Sequence, residues 1–245
     1  MKEVLDVTNA SKVPSPGPTW PKTLYAAQRA PVPAWSPSQN ETFVAEDIME
    51  GCRGSAQHLD LEGLTSIGIT SSLAGEGRTT IALAMALVLA EYGLNTVLLE
   101  LDLGHPELAQ RLGIAKFPGV GDLAEGRASL ADTMRPVTSG LTVIPAGLTH
   151  GSISRALRQL AEIDLMDNLG NQGHVIVADL PALLGNSVGR QAAGLMADLI
   201  LVVRANVVAT ASIKEAIEGL QTTPKVLLNG TKSRVPGWAR RLSGV

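Results

Sequence analysis

The chain has 245 residues, 45% of them hydrophobic and 18% charged, with a formal net charge of −3; this is enough apolar material for one substantial core, and its bulk electrostatics ask for neither nucleic acid nor an anionic membrane surface. The lone Cys52 excludes an internal disulfide and suits a reducing compartment. No stretch near Met1 has the apolar middle of a secretory signal, and no run of about eighteen apolar residues is long enough to span a bilayer, so a cytoplasmic location is expected.

In chain order, residues 11–37 carry seven prolines, Pro14, Pro16, Pro18, Pro21, Pro31, Pro33 and Pro37, among Ser, Ala and Thr. Such a composition cannot sustain helix or ladder hydrogen bonds, and residues 1–40 read as a disordered arm in which Trp20, Tyr25 and Trp35 are anchors for a partner or for the parent domain. A helix over 41–59 leads into the main domain, taken as 41–231. From there strands and helices alternate. Strands are predicted at 64–70, 95–101, 141–145, 174–179, 198–204 and 224–229, and helices at 79–92, 106–113, 152–169, 188–196 and 210–220, with a short turn near 120–125. The alternation predicts an α/β fold, a mostly parallel doubly wound sheet with helices on both faces. A basic tail, 232–245, carries Lys232, Arg234, Arg240 and Arg241 around Trp238.

Between the first strand and the 79–92 helix lies Ser72-Leu73-Ala74-Gly75-Glu76-Gly77-Arg78-Thr79. A phosphate-binding loop reads Gly, four residues, Gly, Lys, Ser/Thr; here Gly77 and Thr79 fit, Ser72 stands for the first glycine and Arg78 for the lysine. A strand, a glycine-rich turn and a helix place backbone N–H groups and the positive helix end around an anion. Gly75 and Gly77 supply the φ freedom, and Thr79 a hydroxyl for magnesium. Ligands on such sheets collect at the carboxyl ends of strands, where Glu100, Asp102 and Asp179 stand. Carboxylates there hold magnesium or merely cap neighbouring loops; three beside one glycine-rich loop favour a metal–nucleotide site. His58, His105, His150 and His174 are scattered without metal-ligand spacing.

The segment Gly75-Glu76-Gly77-Arg78-Thr79-Thr80, the strand end Glu100-Leu101-Asp102-Leu103-Gly104-His105-Pro106 and the strand end Asp179-Leu180-Pro181 together resemble the bacterial tyrosine autokinases of capsule and exopolysaccharide synthesis, relatives of the MinD/ParA partitioning ATPases. Gly119-Val120-Gly121-Asp122-Leu123 and Val143-Ile144-Pro145-Ala146-Gly147 are similar to two further segments of that family. The resemblance implies a P-loop fold that takes ATP or ADP with Mg2+. Gly75, Glu76, Gly77, Arg78, Thr79, Thr80 and Asn229 are then the nucleotide-binding residues, with Asn229 reading the adenine. Thr79, Asp102 and Asp179 are the metal residues, and Arg78, Glu100, Asp102 and Asp179 the catalytic ones. It also implies a membrane polysaccharide co-polymerase or export protein as partner, a place at the inner face of the membrane through that partner, and a homo-oligomer.

The departures from the family fall on the chemistry. Arg78 replaces the loop lysine, Glu100 the first aspartate of the acidic motif, and Gly104 its arginine. The subunit-contact motif Glu-x-x-Arg-x-x-Arg is reduced to Glu50 and Arg53, and the tail has no tyrosine; the chain's two are Tyr25 and Tyr92. The preferred reading is therefore a nucleotide-binding regulator with little or no kinase activity. The active reading is a Mg-ATP hydrolase or autokinase in which Arg78 stabilises the transferring phosphate and Glu100 orients the nucleophile. A MinD/ParA-type positioning ATPase is a further alternative, disfavoured because Leu73 and Ala74 occupy the stretch where those proteins carry an extra lysine.

Overall fold

Short uninterrupted runs of Val, Ile and Leu can be buried on both sides at once, and here they assemble a sheet with helices on each face. The computed structural model describes residues 4–6, 44–114, 117–185 and 187–231. Its strands are β1 (Val4–Asp6), β2 (Ser66–Ser71), β3 (Thr96–Glu100), β4 (Arg135–Pro136), β5 (Leu141–Ile144), β6 (Val175–Asp179), β7 (Asp198–Arg204) and β8 (Lys225–Asn229). The helices are α1 (Glu46–Ala56), α2 (Arg78–Glu91), α3 (Leu108–Arg111), α4 (Val120–Ala124), α5 (Leu130–Thr133), α6 (Ile153–Glu162), α7 (Leu165–Asn171), α8 (Ser187–Ala193) and α9 (Thr210–Ile217). The sheet order is β1-β8-β7-β2-β6-β3-β5-β4, parallel throughout except for β4.

Alternation along each strand divides the core in two. Ile67, Ile69, Leu98, Val177, Ile200 and Val202 point to the side covered by α1 and α2. Val97, Leu99, Ile176, Ala178, Leu199, Leu201 and Val203 point to the side covered by α4 and α6 to α9. Helix α2 is apolar around most of its circumference because it is enclosed between the sheet and α1, burying Ile81, Leu83, Met85, Val88 and Leu89. It stops at Gly93, whose φ of 86° carries the left-handed turn while Leu94 N–H returns to the Leu89 carbonyl.

Three features depart from the sequence expectation. The helix expected over 152–169 is two helices, α6 and α7. Asp164 breaks it at φ 48°, a conformation its short side chain tolerates, and the Asn168 side-chain amide takes up the Ile163 carbonyl at 2.7 Å. Helix α5 and strand β4 were not anticipated: α5 starts on a reciprocal Ser129/Asp132 capping box, and β4 is a two-residue antiparallel edge ending in Pro136. Strand β1 lies within the stretch read as an arm and pairs with β8 through Val4, Leu5 and Asp6. The proline-rich residues 11–37 and the basic tail from Lys232 lie outside the described residues.

The register sets the site. Asp179 stands opposite Ile69 of β2 on one side and Glu100 of β3 on the other, and Arg204 of β7 opposite Asn229 of β8. The loop leaves β2 at the point where the chain has built β3 and β5 on one side and goes on to build β7 and β8 on the other. This is the crevice where doubly wound sheets take ligands.

Candidate functional site

The loop after β2 turns through Gly75 at φ 82° and Gly77 at φ 96°, both costly for any residue with a Cβ. Around Gly75 no described residue comes within 4 Å of a Cβ built there; at Gly77 such a Cβ would lie 2.3 Å from Asn229 Nδ2. The second glycine is thus required by a close approach as well as by its backbone angle. Asn229 uses that approach: Nδ2 donates to the Glu76 carbonyl at 2.9 Å.

Glu76 was expected to face a nucleotide. Its side chain instead turns inward and is 2% exposed, with Oε1 accepting from Leu73 N–H at 2.6 Å and Oε2 from Arg204 N–H at 3.0 Å. Thr80, expected to bind nucleotide as well, receives the Arg111 guanidinium on its hydroxyl at 3.0 Å. Ser71 Oγ donates to the Leu73 carbonyl, and Ser72 Oγ is buried without a partner among the described residues.

Arg78 opens α2, and its guanidinium is held from two sides. Nη1 donates to the Leu180 carbonyl at 2.8 Å and Nη2 to Asp102 Oδ2 at 3.1 Å, both side chains of the ion pair being largely buried. A guanidinium offers several donors in a fixed fork, so it can cap a carbonyl and a carboxylate together, which a lysine ammonium on a flexible stem does less well. Asp102, expected to serve metal and catalysis, is therefore bound to the arginine; its other oxygen accepts from His105 N–H at 3.3 Å.

Asp179 is the carboxylate left available. It is 2% exposed and, among the described residues, Oδ1 has no hydrogen-bond partner. Burial pushes its pKa up to about 7, and the neighbouring charges of Glu100 and Asp102 push the same way, against the Thr79 hydroxyl and the Arg78 charge, which favour the anion. Thr79 and Asp179 thus lie together beside the loop.

Glu100 requires a correction. Rather than standing free to orient a nucleophile, it is fully buried and its oxygens accept from Leu108 N–H at 2.5 Å, Ala109 N–H at 3.4 Å and Ala146 N–H at 3.0 Å. It caps the start of α3 and fixes the loop after β5. Burial raises its pKa while these N–H groups lower it, with burial the larger effect. The adjoining loops are tied by Asp122, whose Oδ2 accepts from Gly119 and Leu148 N–H, each at 3.0 Å. Gly119 and Gly121 are required there, since a Cβ would meet Pro145 O at 2.0 Å and Thr149 Oγ1 at 2.4 Å respectively. The Gly-x-Gly-Asp spacing carried that signal in the sequence; the backbone partners Leu180 O and Arg204 N–H carried none.

A magnesium–nucleotide fits this crevice in part. The unpartnered Asp179 Oδ1, the Thr79 hydroxyl and the open side of Gly75 suit it, whereas Asp102 is already neutralised. Among the described residues no group of three or more acidic, His or Cys side chains could hold a metal alone. Magnesium here would depend on phosphate oxygens to complete its shell.

No protein-family model matches the chain. The kinase domain of VpsO, known from its crystal structure, is 31% identical over a match that covers 74% of this chain and 91% of that one, with a TM-score of 0.64. The chain belongs to the bacterial tyrosine autokinase family and has the α/β P-loop fold also seen in MinD. Among curated relatives of this family member, the antiactivator FleN of Pseudomonas aeruginosa is 31% identical over 128 residues, 50% of this chain and 44% of FleN. The succinoglycan biosynthesis transport protein ExoP of Rhizobium meliloti is 32% identical over 122 residues, 48% of this chain and 15% of ExoP. The chain spans less than half the length of the curated relatives it matches.

Two family features can be placed. Arg53, in what remains of the subunit-contact motif, pairs with Glu46 at 2.7 Å, Glu50 at 3.1 Å and Glu91 at 3.1 Å, so it is engaged by its own helix and by α2. Tyr92 is half-buried and its hydroxyl donates to the Arg53 carbonyl at 3.4 Å. Tyr25 lies outside the described residues.

Proposed function

We propose that this protein is a nucleotide-binding regulatory subunit of bacterial exopolysaccharide synthesis or export, with little or no phosphoryl transfer of its own. The observation that carries the reading is the Arg78 guanidinium held on Asp102 and the Leu180 carbonyl. Phosphoryl transfer in P-loop enzymes depends on a cation free to follow the transferring phosphate and on carboxylates free to place metal and water. Here the loop cation and one strand-end carboxylate neutralise each other, and Glu100 caps backbone N–H groups. Binding asks less: the loop's glycines, the amino end of α2, Thr79 and Asp179 hold phosphates and magnesium, and magnesium when bound supplies charge neutralisation to those phosphates. Asn229 holds the base.

The pathway rests on the similarity to ExoP, which is a biosynthesis transport protein. No helix among the described residues is long and apolar enough to cross a membrane. A membrane polysaccharide co-polymerase or export protein is the partner that would place this domain at the inner membrane face. The similarity to FleN favours, as a second reading, a nucleotide-dependent regulator that acts on another protein complex.

Calorimetric titration with Mg-ATP and Mg-ADP, followed by phosphate release on the same sample, tests the proposal. Micromolar affinity, about −8 kcal/mol, with negligible turnover is expected; rapid turnover by the unmodified protein would overturn it. Arg78→Lys is expected to raise phosphate release at least tenfold if the rest of the crevice is competent.

A further inference from the structure

Glu76 presents an anomaly that nucleotide binding does not explain. Its carboxylate is 2% exposed and, among the described residues, forms no ion pair. A buried, unpaired carboxylate is an expensive way to shape a turn that glycines could shape alone. What it provides is connection. Oε1 reaches back to Leu73 N–H at the start of the phosphate loop, and Oε2 reaches across to Arg204 N–H at the end of β7. The same residue's carbonyl receives the Asn229 side chain from the end of β8, an approach open only because residue 77 is glycine. Ala205 N–H then closes the group by donating to the Asn229 carbonyl at 2.8 Å.

We propose that Glu76 is a positioning residue that locks the phosphate loop to the ends of β7 and β8, so that a nucleotide's base, held at Asn229, sets the conformation that receives its phosphates. This rests on the nucleotide-binding reading and adds a direction to it. A ligand with both base and phosphates engages the locked unit at two points, whereas a phosphate chain alone engages one. Asn229 is suited to the task because one N–H of its amide is committed to Glu76, which fixes the orientation of the remaining N–H and carbonyl toward a base.

Glu76→Gln is the discriminating change. It is nearly isosteric, but it converts one of two acceptors into a donor and leaves either Leu73 N–H or Arg204 N–H facing an N–H group. Calorimetry with magnesium compares ATP with inorganic tripolyphosphate on the unmodified protein, E76Q, N229A and the double variant. The unmodified protein is expected to prefer ATP. E76Q is expected to lose about tenfold in ATP affinity and less than about threefold for tripolyphosphate, and the double variant to be barely weaker than either single one. Equal losses for both ligands, or additive effects in the double variant, would leave Glu76 a structural residue only and overturn the proposal. If the unmodified protein binds neither ligand, the nucleotide reading falls with it; if it binds both equally, only the lock falls. A readout without mutation covers a poorly folding E76Q: adenosine, which has no phosphate, is expected to slow hydrogen exchange at the Leu73 amide, and no change there refutes the lock.

Discussion

Replacing Asp179 by asparagine should stabilise the unliganded protein, and only where the aspartate would otherwise ionise. Burial holds the Asp179 carboxyl at about 7 against an ordinary 3.8. The folded state therefore keeps a proton that the unfolded state has released, and raising the pH between these values favours unfolding. About three units at ~1.4 kcal/mol each set a ceiling of ~4 kcal/mol. The amide gives up the attraction of Arg78 and some of the Thr79 contact, so a net gain of about 2–3 kcal/mol at pH 8 is expected. Urea unfolding of both proteins at one-unit steps from pH 4 to pH 8 measures it. The advantage of D179N should grow from pH 4 to pH 7 and then level off. A difference independent of pH, or a variant less stable at pH 8, would show that the carboxyl is not held protonated by its surroundings.

Three other substitutions separate roles that the sequence leaves mixed. Glu100→Gln should cost about 1–2 kcal/mol in urea unfolding, because one of the N–H groups of Leu108, Ala109 and Ala146 then faces an amide donor, while nucleotide affinity stays within about twofold. A loss of affinity at unchanged stability would return Glu100 to the phosphate side. Gly77→Ala should lower stability by about 1–3 kcal/mol and Gly75→Ala by about 1 kcal/mol, since both force a left-handed residue but only the first drives a Cβ onto Asn229. Equal losses in thermal unfolding would contradict that contact.

The sheet was largely legible because a strand buried on both faces must be written in branched and apolar residues, as Val175–Asp179 and Asp198–Arg204 are. The loop was legible because glycines at positive φ have few substitutes, and Gly75 and Gly77 both adopt it. The roles of the acidic residues were not. Glu100 and Asp179 end apolar strands, Asp102 follows one and Glu76 lies in the loop, yet Glu76 and Glu100 accept from backbone N–H groups, Asp102 pairs with Arg78, and Asp179 has, among the described residues, an oxygen without a partner. Composition records the charge but not the N–H groups that the folded chain brings to it. The break at Asp164 was hidden for a related reason: the apolar spacing continues across it, and only the local αL geometry divides the helix.

The two borders of the sheet are finished differently. At one, β4 is two residues long and ends in a proline that cannot donate, so it offers little to an approaching chain. At the other, β8 is covered by three residues, Val4 to Asp6, that come from far back in the sequence. A version shortened to start at Val44 for convenience in the laboratory would keep the whole crevice and uncover the β8 backbone. Self-association, gelation or poor yield of such a version would then reflect an uncovered sheet border and say nothing about how the protein assembles with its partners.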